Sequence, residues 1–225
     1  TMSMKYFISG TDTAIGKTLV GVALLHAARS AGHSAIGAKP IAAGCDLIDG
    51  IWQNEDAAAL RSASSLELSY EQVNPIALKA FMAPHIAAER EGVKINAVDL
   101  CRKINALPDA EITFIEGAGG WLVPLNDKET MADIATGLQV GVILVVGLRL
   151  GCINHALLSA AAIKQSGLKL AGWVANSIEP AMDVKDSNIA AIEKRLQAPL
   201  LGTIPYLNPA DPEAAAALLD IEPLL

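Results

Sequence analysis

The chain has 225 residues, of which 52% are apolar but only 4% aromatic, and its formal net charge is −7. This length fits a single α/β domain that buries roughly 70% of the surface of its unfolded chain. The acidic balance argues against nonspecific nucleic-acid binding. The longest apolar run, 140–147, is too short to span a bilayer, and the N-terminal residues lack a signal-peptide pattern. The sequence therefore predicts a cytoplasmic protein with no nucleic-acid or membrane partner.

Short apolar or β-branched segments alternate with helical segments along the whole chain. This alternation predicts crossover units, and therefore a mostly parallel central sheet with helices on both faces in one domain, 1–225. Ligands of such a sheet bind at the carboxyl ends of its strands. The predicted strands are 5–9, 34–39, 112–116, 140–147, 168–176 and 200–205, and the predicted helices include 17–31, 154–166, 184–196 and an amphipathic helix within 210–220.

The stretch GTDTAIGKT, residues 10–18, lies between the first predicted strand and the first predicted helix. It ends like a phosphate-binding loop, but five residues separate Gly10 from Gly16 where the standard pattern has four. Unpaired N–H groups and the helix dipole attract phosphate to such a helix start. We expect Lys17 to reach the β- and γ-phosphates and Thr18 to bind Mg²⁺. An ordinary helix start with a solvated lysine is the less favoured alternative.

Two carboxylates are candidates for the other Mg²⁺ ligands, because this hard cation prefers oxygen ligands. Glu116 ends an apolar predicted strand and precedes a glycine-rich turn, where the backbone can approach a ligand closely. Asp56 is a weaker candidate, since it could equally cap the helix that follows it. Lys39 also ends a predicted strand, and Pro40 holds it in an extended conformation that gives its ammonium group a defined direction. On these residues alone, an ordinary surface lysine is the alternative.

These motifs resemble those of the dethiobiotin synthetase family. The resemblance covers nearly the whole chain and depends on GTDTAIGKT, KPIAAG, EGAGGWLVPL, VVGLRLGCINHALL, LAGWVAN and APLLGTIPYL, in that order. The family's loop has the same longer spacing, with threonine at the position of Thr11. The resemblance implies a phosphate-loop NTPase fold and an ATP-dependent ligase. Such enzymes convert 7,8-diaminopelargonate, CO₂ and ATP into dethiobiotin, ADP and phosphate through a carbamate and a carbamic–phosphoric anhydride.

The resemblance also implies roles for individual residues. Lys17, Lys39 and Thr13 would be catalytic, and Thr18, Asp56 and Glu116 would hold Mg²⁺ beside the co-substrate ATP. Asn176 and residues 205–207 would frame the adenine, and Glu213 would reach the ribose. The full set expected to contact the nucleotide is Ala14, Ile15, Gly16, Lys17, Thr18, Leu19, Asp56, Glu116, Gly117, Ala118, Gly119, Asn176, Ser177, Pro205, Tyr206, Leu207 and Glu213.

The implied substrate site is shared between two protomers of a homodimer. In the family, the segment that reads RLGCINH here reaches across a two-fold axis and offers backbone N–H groups to the substrate carboxylate. Lys39 would face the carbamate from the other side. The residues expected to contact the substrate are Lys39, Ala43, Leu150, Gly151, Cys152, Ile153 and Asn154.

Four positions depart from the family pattern. The family usually has glutamate at Ala14, serine at Ala43, and proline and serine at Phe81 and Ala83. Losing a hydrogen bond costs about 0.5–1.5 kcal/mol, or about 1.5–3 kcal/mol when a charge is involved. The departures therefore predict weaker diamine binding unless other groups compensate. They leave open a synthetase with a drier pocket, a relative with a changed acceptor, and a non-catalytic ATP-binding relative.

Two further features bear on the alternatives. Related switch ATPases place a signature lysine where this chain has Asp12, which disfavours an ATP-driven switch. The three cysteines, Cys45, Cys101 and Cys152, show no metal-binding spacing and are predicted to be small buried side chains rather than catalytic thiols.

Overall fold

The structure, a computed structural model, describes residues 3–225, so residues 1 and 2 of the predicted domain lie outside it. Six parallel strands form a central sheet in the order β10-β9-β8-β1-β7-β2. All six overlap strands predicted from the sequence, but the strand predicted at 112–116 continues to Gly120, so the glycine-rich segment 117–120 is part of the strand rather than the predicted turn. The strands of the described chain are β1 (Met4–Gly10), β2 (Ala35–Ala38), β3 (Ile41–Ala43), β4 (Asp46–Ile48), β5 (Ile51–Gln53), β6 (Ile76–Leu78), β7 (Ile112–Gly120), β8 (Gly141–Leu148), β9 (Leu170–Ser177) and β10 (Leu200–Ile204).

Helices cover both faces of this sheet, as predicted. The three long predicted helices and the C-terminal one are present, with ends shifted by a few residues. Within residues 3–225, no helix combines the length and apolar character needed to cross a membrane. The helices are α1 (Lys17–Ser30), α2 (Glu55–Ala63), α3 (Tyr70–Val73), α4 (Pro84–Glu91), α5 (Ala97–Asn105), α6 (Met131–Leu138), α7 (Cys152–Gln165), α8 (Lys185–Leu196), α9 (Pro212–Ala216) and a final 3₁₀ turn, Glu222–Leu224.

The central strands of the sheet send alternate side chains into two separate apolar cores, and Ile36 of the edge strand β2 packs in a third, smaller cluster. In β1, Phe7 packs with residues of α5, α6, α7 and α8, whereas its neighbour Ile8 packs with α1 on the opposite face. Both side chains are fully buried. Since parallel strands buried on both faces have no polar alternation, they appear in the sequence as continuous apolar runs. This arrangement leaves the carboxyl ends of the strands as the edge where polar side chains collect.

Two small sheets lie beyond the end of β2 and were not predicted. Strand β3 pairs in parallel with β6, and β4 pairs with β5 in an antiparallel hairpin. The hairpin turns at Asp49 and Gly50, both with positive φ. An Asp-Gly pair between apolar residues is a strong hairpin signal. These elements carry part of the wall of the site described next.

Candidate active site at the carboxyl edge of the sheet

The loop between β1 and α1 is attached to strand β8 by Thr11. Its backbone N–H donates to the Val145 carbonyl (3.0 Å), and its hydroxyl oxygen accepts from the Gly147 N–H (3.3 Å). Gly16 then begins α1 with φ +85°, in the left-handed region that favours glycine, and no side chain caps the helix. Thr11, at the position affected by the longer spacing, therefore attaches the loop to β8. Because no side chain caps α1, its first N–H groups remain available for an anion.

Asn176, at the end of β9, packs directly against this loop. Its Nδ2 donates to the Ile15 carbonyl (2.8 Å), and a Cβ at Gly16 would overlap the Asn176 amide. Its Oδ1 is buried without a hydrogen-bond partner among the described residues. Because a buried unpaired acceptor is costly, this oxygen is suited to a donor on a bound ligand.

Lys17 points back along its own loop. Its side chain is buried, and Nζ donates to the Asp12 carbonyl (2.9 Å). Burial lowers the pKa of Lys17 to about 8, against the raising effect of the Glu116 carboxylate. Asp12 also accepts from the Thr13 N–H (2.8 Å) and forms an ion pair with Arg149 in the loop after β8. The position occupied by a signature lysine in switch ATPases thus carries an acid paired within the same chain.

Lys39 and Glu116 form a buried pair beside the start of α1. Lys39 Nζ lies 2.6 Å from Glu116 Oε1 and 3.3 Å from Asp56 Oδ2. The same Glu116 oxygen accepts from the Thr18 hydroxyl (2.9 Å). Burial alone would lower the pKa of Lys39, but the charges and hydrogen bonds of Glu116 and Asp56 raise it above its ordinary value. The ammonium group therefore stays protonated between two carboxylates.

The backbone of Lys39 is fixed by a residue that the sequence analysis missed. Asn74 is 2% exposed, and its Nδ2 donates to the Lys39 carbonyl (2.7 Å), while the Lys39 N–H donates to the Val73 carbonyl (2.8 Å). Asn74 precedes a proline in the sequence, a weak turn signal that gives no hint of this contact. The alternative reading of Asp56 as a helix cap is wrong, because the cap of α2 is Asn54, which accepts from the Asp56 N–H (3.1 Å).

A cavity of about 620 Å³ opens above these residues. It unites the predicted loop, lysine, carboxylate and glycine-turn residues with all four positions that depart from the family pattern. Its lining comprises Thr13, Ala14, Ile15, Gly16, Lys17, Thr18, Lys39, Ala42, Ala43, Asn54, Asp56, Phe81, Met82, Ala83, Pro84, Glu116, Ala118, Gly119 and Val123. The contributions of Ala42, Asn54, Met82, Pro84 and Val123 were not predicted; Ala42 and Val123 lie within motifs quoted above, but no role was assigned to either of them.

Other predicted residues lie outside the lining of this cavity. Ser177 follows Asn176 at the end of β9, and residues 205–207 follow β10, with Tyr206 40% exposed. Glu213 is exposed in the first turn of α9. Leu19 lies in α1, and Gly117 in β7 is packed against the Phe7 ring. Their nucleotide contacts stay predictions.

The segment predicted to serve a partner protomer also lies outside the cavity of its own chain. Leu150 is 95% exposed, and Gly151, with φ +96°, begins α7 without a side-chain cap. The helix starts at Cys152, two residues earlier than predicted. Cys152 is 1% exposed and packs in the core, so this residue can offer a ligand only its backbone. Ile153 and Asn154 follow in the first turn.

A phosphate loop at the first strand of a parallel sheet, with two lysines and two carboxylates beside it, defines a phosphate-loop nucleotide-binding protein. Residues 4–214 match the family model described as an AAA domain. The septum site-determining protein MinD complexed with Mg-ADP from Pyrococcus horikoshii is similar in fold, with 16% identity, a TM-score of 0.57 and coverage of 96% of this chain and 93% of that chain. A ParA family ATPase from Chlorobium tepidum has 13% identity, a TM-score of 0.56 and coverage of 95% and 89%.

Relatives in sequence are much closer. A protein of Pseudomonas paraeruginosa named ATP-dependent dethiobiotin synthetase BioD is 52% identical over 222 residues, or 97% of each chain. A protein of the same name from Cellvibrio japonicus is 52% identical over 228 residues, covering 100% of this chain and 99% of that one. The chain belongs to the ATP-dependent dethiobiotin synthetase family.

Proposed function

We propose that this protein is an ATP- and Mg²⁺-dependent dethiobiotin synthetase, a ligase of biotin biosynthesis that acts in the cytoplasm as a single-domain homodimer. It carboxylates 7,8-diaminopelargonate with CO₂ and closes the product to dethiobiotin, releasing ADP and phosphate. The observation that carries the proposal is the cluster of Lys39, Glu116, Asp56 and Thr18 in the same cavity as the phosphate loop. Membership of the family supports the same reaction.

The chemistry requires fixed positive charge, which the cavity provides. One substrate amine captures CO₂ as a carbamate, whose oxygen attacks the γ-phosphorus and expels ADP. The second amine then attacks the carbamoyl carbon of the mixed anhydride and expels phosphate. Lys17 and Lys39 bind and orient the anionic groups, and they stabilise charge that grows on the transferred phosphoryl group without forming a covalent bond.

The oxygen atoms near Lys39 fit Mg²⁺. Thr18 offers a hydroxyl, Asp56 and Glu116 offer carboxylates, and Glu116 Oε2 is buried without a hydrogen-bond partner among the described residues. Residues 3–225 hold no group of three or more His, Cys, Asp or Glu arranged for a metal. Mg²⁺ keeps several waters and binds one or two carboxylates plus substrate phosphates, which matches the hydroxyl and two carboxylates present here. When bound, it would neutralise the β- and γ-phosphate oxygens.

The nucleotide is proposed to lie along the start of α1. The unpaired Asn176 Oδ1 would accept from the adenine amino group, and residues 205–207 would lie against the base, with Glu213 near the ribose. The exposed Leu150 and the uncapped start of α7 support the proposal that residues 150–154 hold the substrate carboxylate in a partner protomer.

The decisive experiment measures phosphate release with ATP, Mg²⁺ and bicarbonate, with and without 7,8-diaminopelargonate, and identifies the product by mass. We expect diamine-dependent phosphate and the mass of dethiobiotin. ATP binding with no diamine-dependent turnover would contradict the proposal. It would favour the second candidate, a related ligase with a changed acceptor, which is motivated by the presence of Ala14, Ala43, Phe81 and Ala83 in the lining of the same cavity.

A further inference from the structure

Asp56 and Lys39 meet in the cavity from two separate elements. Asp56 stands in the first turn of α2, and Lys39 directly follows β2. Their side chains lie 3.3 Å apart, but the Asp56 side chain is 36% exposed, so this ion pair alone is a weak constraint on where the carboxylate points. The relative position of the two groups therefore depends on what holds their backbones.

Tyr70 joins the two backbones through a single hydroxyl group. Its oxygen accepts from the Asn54 N–H (2.7 Å), and its proton is donated to Asn74 Oδ1 (2.9 Å). On one side, Asn54 Oδ1 accepts from the Asp56 N–H (3.1 Å). On the other, Asn74 Nδ2 donates to the Lys39 carbonyl (2.7 Å). A continuous chain of hydrogen bonds thus runs from the start of α2 to the backbone of Lys39.

The hydroxyl has a fixed position because the ring that carries it is packed. Tyr70 is 7% exposed and lies in the small apolar cluster with Ile36 of β2 and Ala57 of α2, the two elements that its hydroxyl joins. Asn74, the next member of the chain, is buried at the end of α3. Since a tyrosine hydroxyl both donates and accepts, removing it would leave a buried donor and a buried acceptor unpaired at once.

We infer that Tyr70 is a positioning residue that holds the Asp56 carboxylate in register with the Lys39 ammonium group. It touches neither group directly and acts through the two asparagines. The role of Asp56 as a ligand of Mg²⁺ rests on the proposed function, and the inference adds the residue that directs this ligand. Removing an outer partner of a metal ligand typically costs about 10-fold to 100-fold in metal affinity or activity.

The test compares nucleotide binding with and without the metal. The β,γ-imido analogue of ATP is titrated calorimetrically into the protein, once with Mg²⁺ and once with EDTA. The Kd in EDTA divided by the Kd in Mg²⁺ is the metal ratio. Tyr70→Phe removes only the hydroxyl, and it should lower the metal ratio by about 10-fold while the Kd in EDTA stays within about twofold of wild type. The matched control is Tyr6→Phe, which removes a hydroxyl that donates to the Leu224 carbonyl and lies outside the cavity lining.

Further variants separate positioning from general damage to the fold. If Tyr70 acts through Asp56, the double variant Tyr70→Phe/Asp56→Asn should have the same metal ratio as Asp56→Asn alone. Asn54→Ala removes the cap of α2 and should also lower the metal ratio, whereas Asn54→Ser keeps a capping oxygen and should restore most of it. The Asn54 variants decide the outcome if Tyr70→Phe does not fold, and an unchanged metal ratio in Asn54→Ala would then overturn the inference.

The remaining outcomes separate this inference from the proposed function. An unchanged metal ratio in folded Tyr70→Phe, an equal loss in Tyr6→Phe, additive losses in the double variant, or no effect of Mg²⁺ on the wild-type protein would overturn the inference. The titrations contain no diamine. Failure of the wild-type protein to convert 7,8-diaminopelargonate would therefore overturn the proposed function alone, while the metal ratios would still judge the role of Tyr70.

Discussion

Lys39 Nζ lies 2.6 Å from Glu116 Oε1 and 3.3 Å from Asp56 Oδ2, so an ammonium group occupies the space between the two carboxylates proposed to hold Mg²⁺. In the protein without nucleotide, this lysine is the counter-ion of both acids. A divalent cation that enters the site would take over part of that role and free Lys39 to approach an anionic substrate. The proposed metal site and the proposed catalytic lysine are therefore coupled through shared oxygens.

We expect Lys39→Met to abolish synthesis. We also expect it to increase the stabilisation of the folded protein by Mg²⁺ alone. Removing the ammonium leaves Glu116, which is 1% exposed, without its buried partner, and such a loss costs about 3–5 kcal/mol unless the acid takes up a proton. Mg²⁺ alone should then raise the melting temperature of Lys39→Met more than that of the wild-type protein. Lys94→Met removes an exposed lysine and serves as the control. Equal Mg²⁺ responses in all three proteins would contradict the shared site.

Unlike Lys39→Met, Lys17→Met should reduce activity without reducing the stability of the folded protein. Lys17 donates to a backbone carbonyl of Asp12, and burial lowers its pKa to about 8, so its removal leaves no buried acid unpaired. We expect the free energy of unfolding to stay equal or rise, while ATP-dependent phosphate release falls by at least about 100-fold. Urea unfolding and phosphate release measured on the same preparation check both parts. Normal turnover in Lys17→Met would exclude the assigned role.

The sequence was sufficient to predict the six strands of the main sheet, because each is a continuous apolar run bounded by turns. It also predicted the position of the phosphate loop and of Lys39, which directly follows β2. Glu116 was expected to end its strand, but it lies in the middle of β7, which continues to Gly120. The sequence did not distinguish the consequences of losing Lys17 and Lys39, since both are lysines beside glycine or proline. Only their contacts, a carbonyl in one case and two carboxylates in the other, separate them.

Three-residue strands such as β3 and β6 are too short to show a period, so the wall that carries Ala43 was not predicted. The Asp12–Arg149 pair joins positions 137 residues apart and has no local signature. The role of Asn74 in fixing Lys39 is equally invisible, because a buried amide is identified by its partners rather than by its neighbours in sequence.

Adding a hydroxyl to the cavity wall should improve diamine binding. Ala43→Ser places a donor and an acceptor in an otherwise apolar stretch of the lining. If the diamine or its carbamate uses that hydroxyl, KM for the diamine should fall by about twofold to tenfold with kcat little changed. Steady-state kinetics at saturating ATP measures this, with Ala217→Ser, at an exposed position, as the control. No change in KM would mean that the alanine at this position is neutral.

Stability in acid should depend on Glu111. The Ser34 N–H, which donates to Glu111 Oε2 (2.8 Å), and His33, whose Nδ1 lies 3.2 Å from Oε1, hold the pKa of Glu111 below 4.5. Because the unfolded state binds the proton more readily, this contribution is complete above pH 4.5 and is lost as pH falls through the pKa of the folded state. Urea unfolding should show Glu111→Gln less stable than wild type at pH 7, with the difference shrinking towards pH 3. A difference that does not change with pH would refute this, and Glu67→Gln, at an exposed acid, is the control.

An ion pair joins Asp12 in the phosphate loop to Arg149 in the loop after β8. The Asp12 carboxylate accepts from the Thr13 N–H and pairs with the Arg149 guanidinium, while the Asp12 backbone carbonyl accepts from the Lys17 ammonium. Arg149 lies in the connection to α7, so the pair joins the phosphate loop to the segment proposed to serve the partner protomer. Because both side chains are about 40% exposed, we expect a modest coupling of about 0.2–1 kcal/mol, and screening by salt.

Arg149→Gln should therefore raise the Kd for ATP up to about fivefold at low salt, with less effect at high salt, and Arg149→Lys should restore part of the affinity. A double-mutant cycle with Asp12→Asn isolates the pair from the separate contacts of each residue. If Arg149 acts through Asp12, the double variant should bind ATP about as weakly as Asp12→Asn alone. Additive losses, measured by calorimetric titration of ATP, would instead mean that Arg149 affects the nucleotide independently of the loop acid.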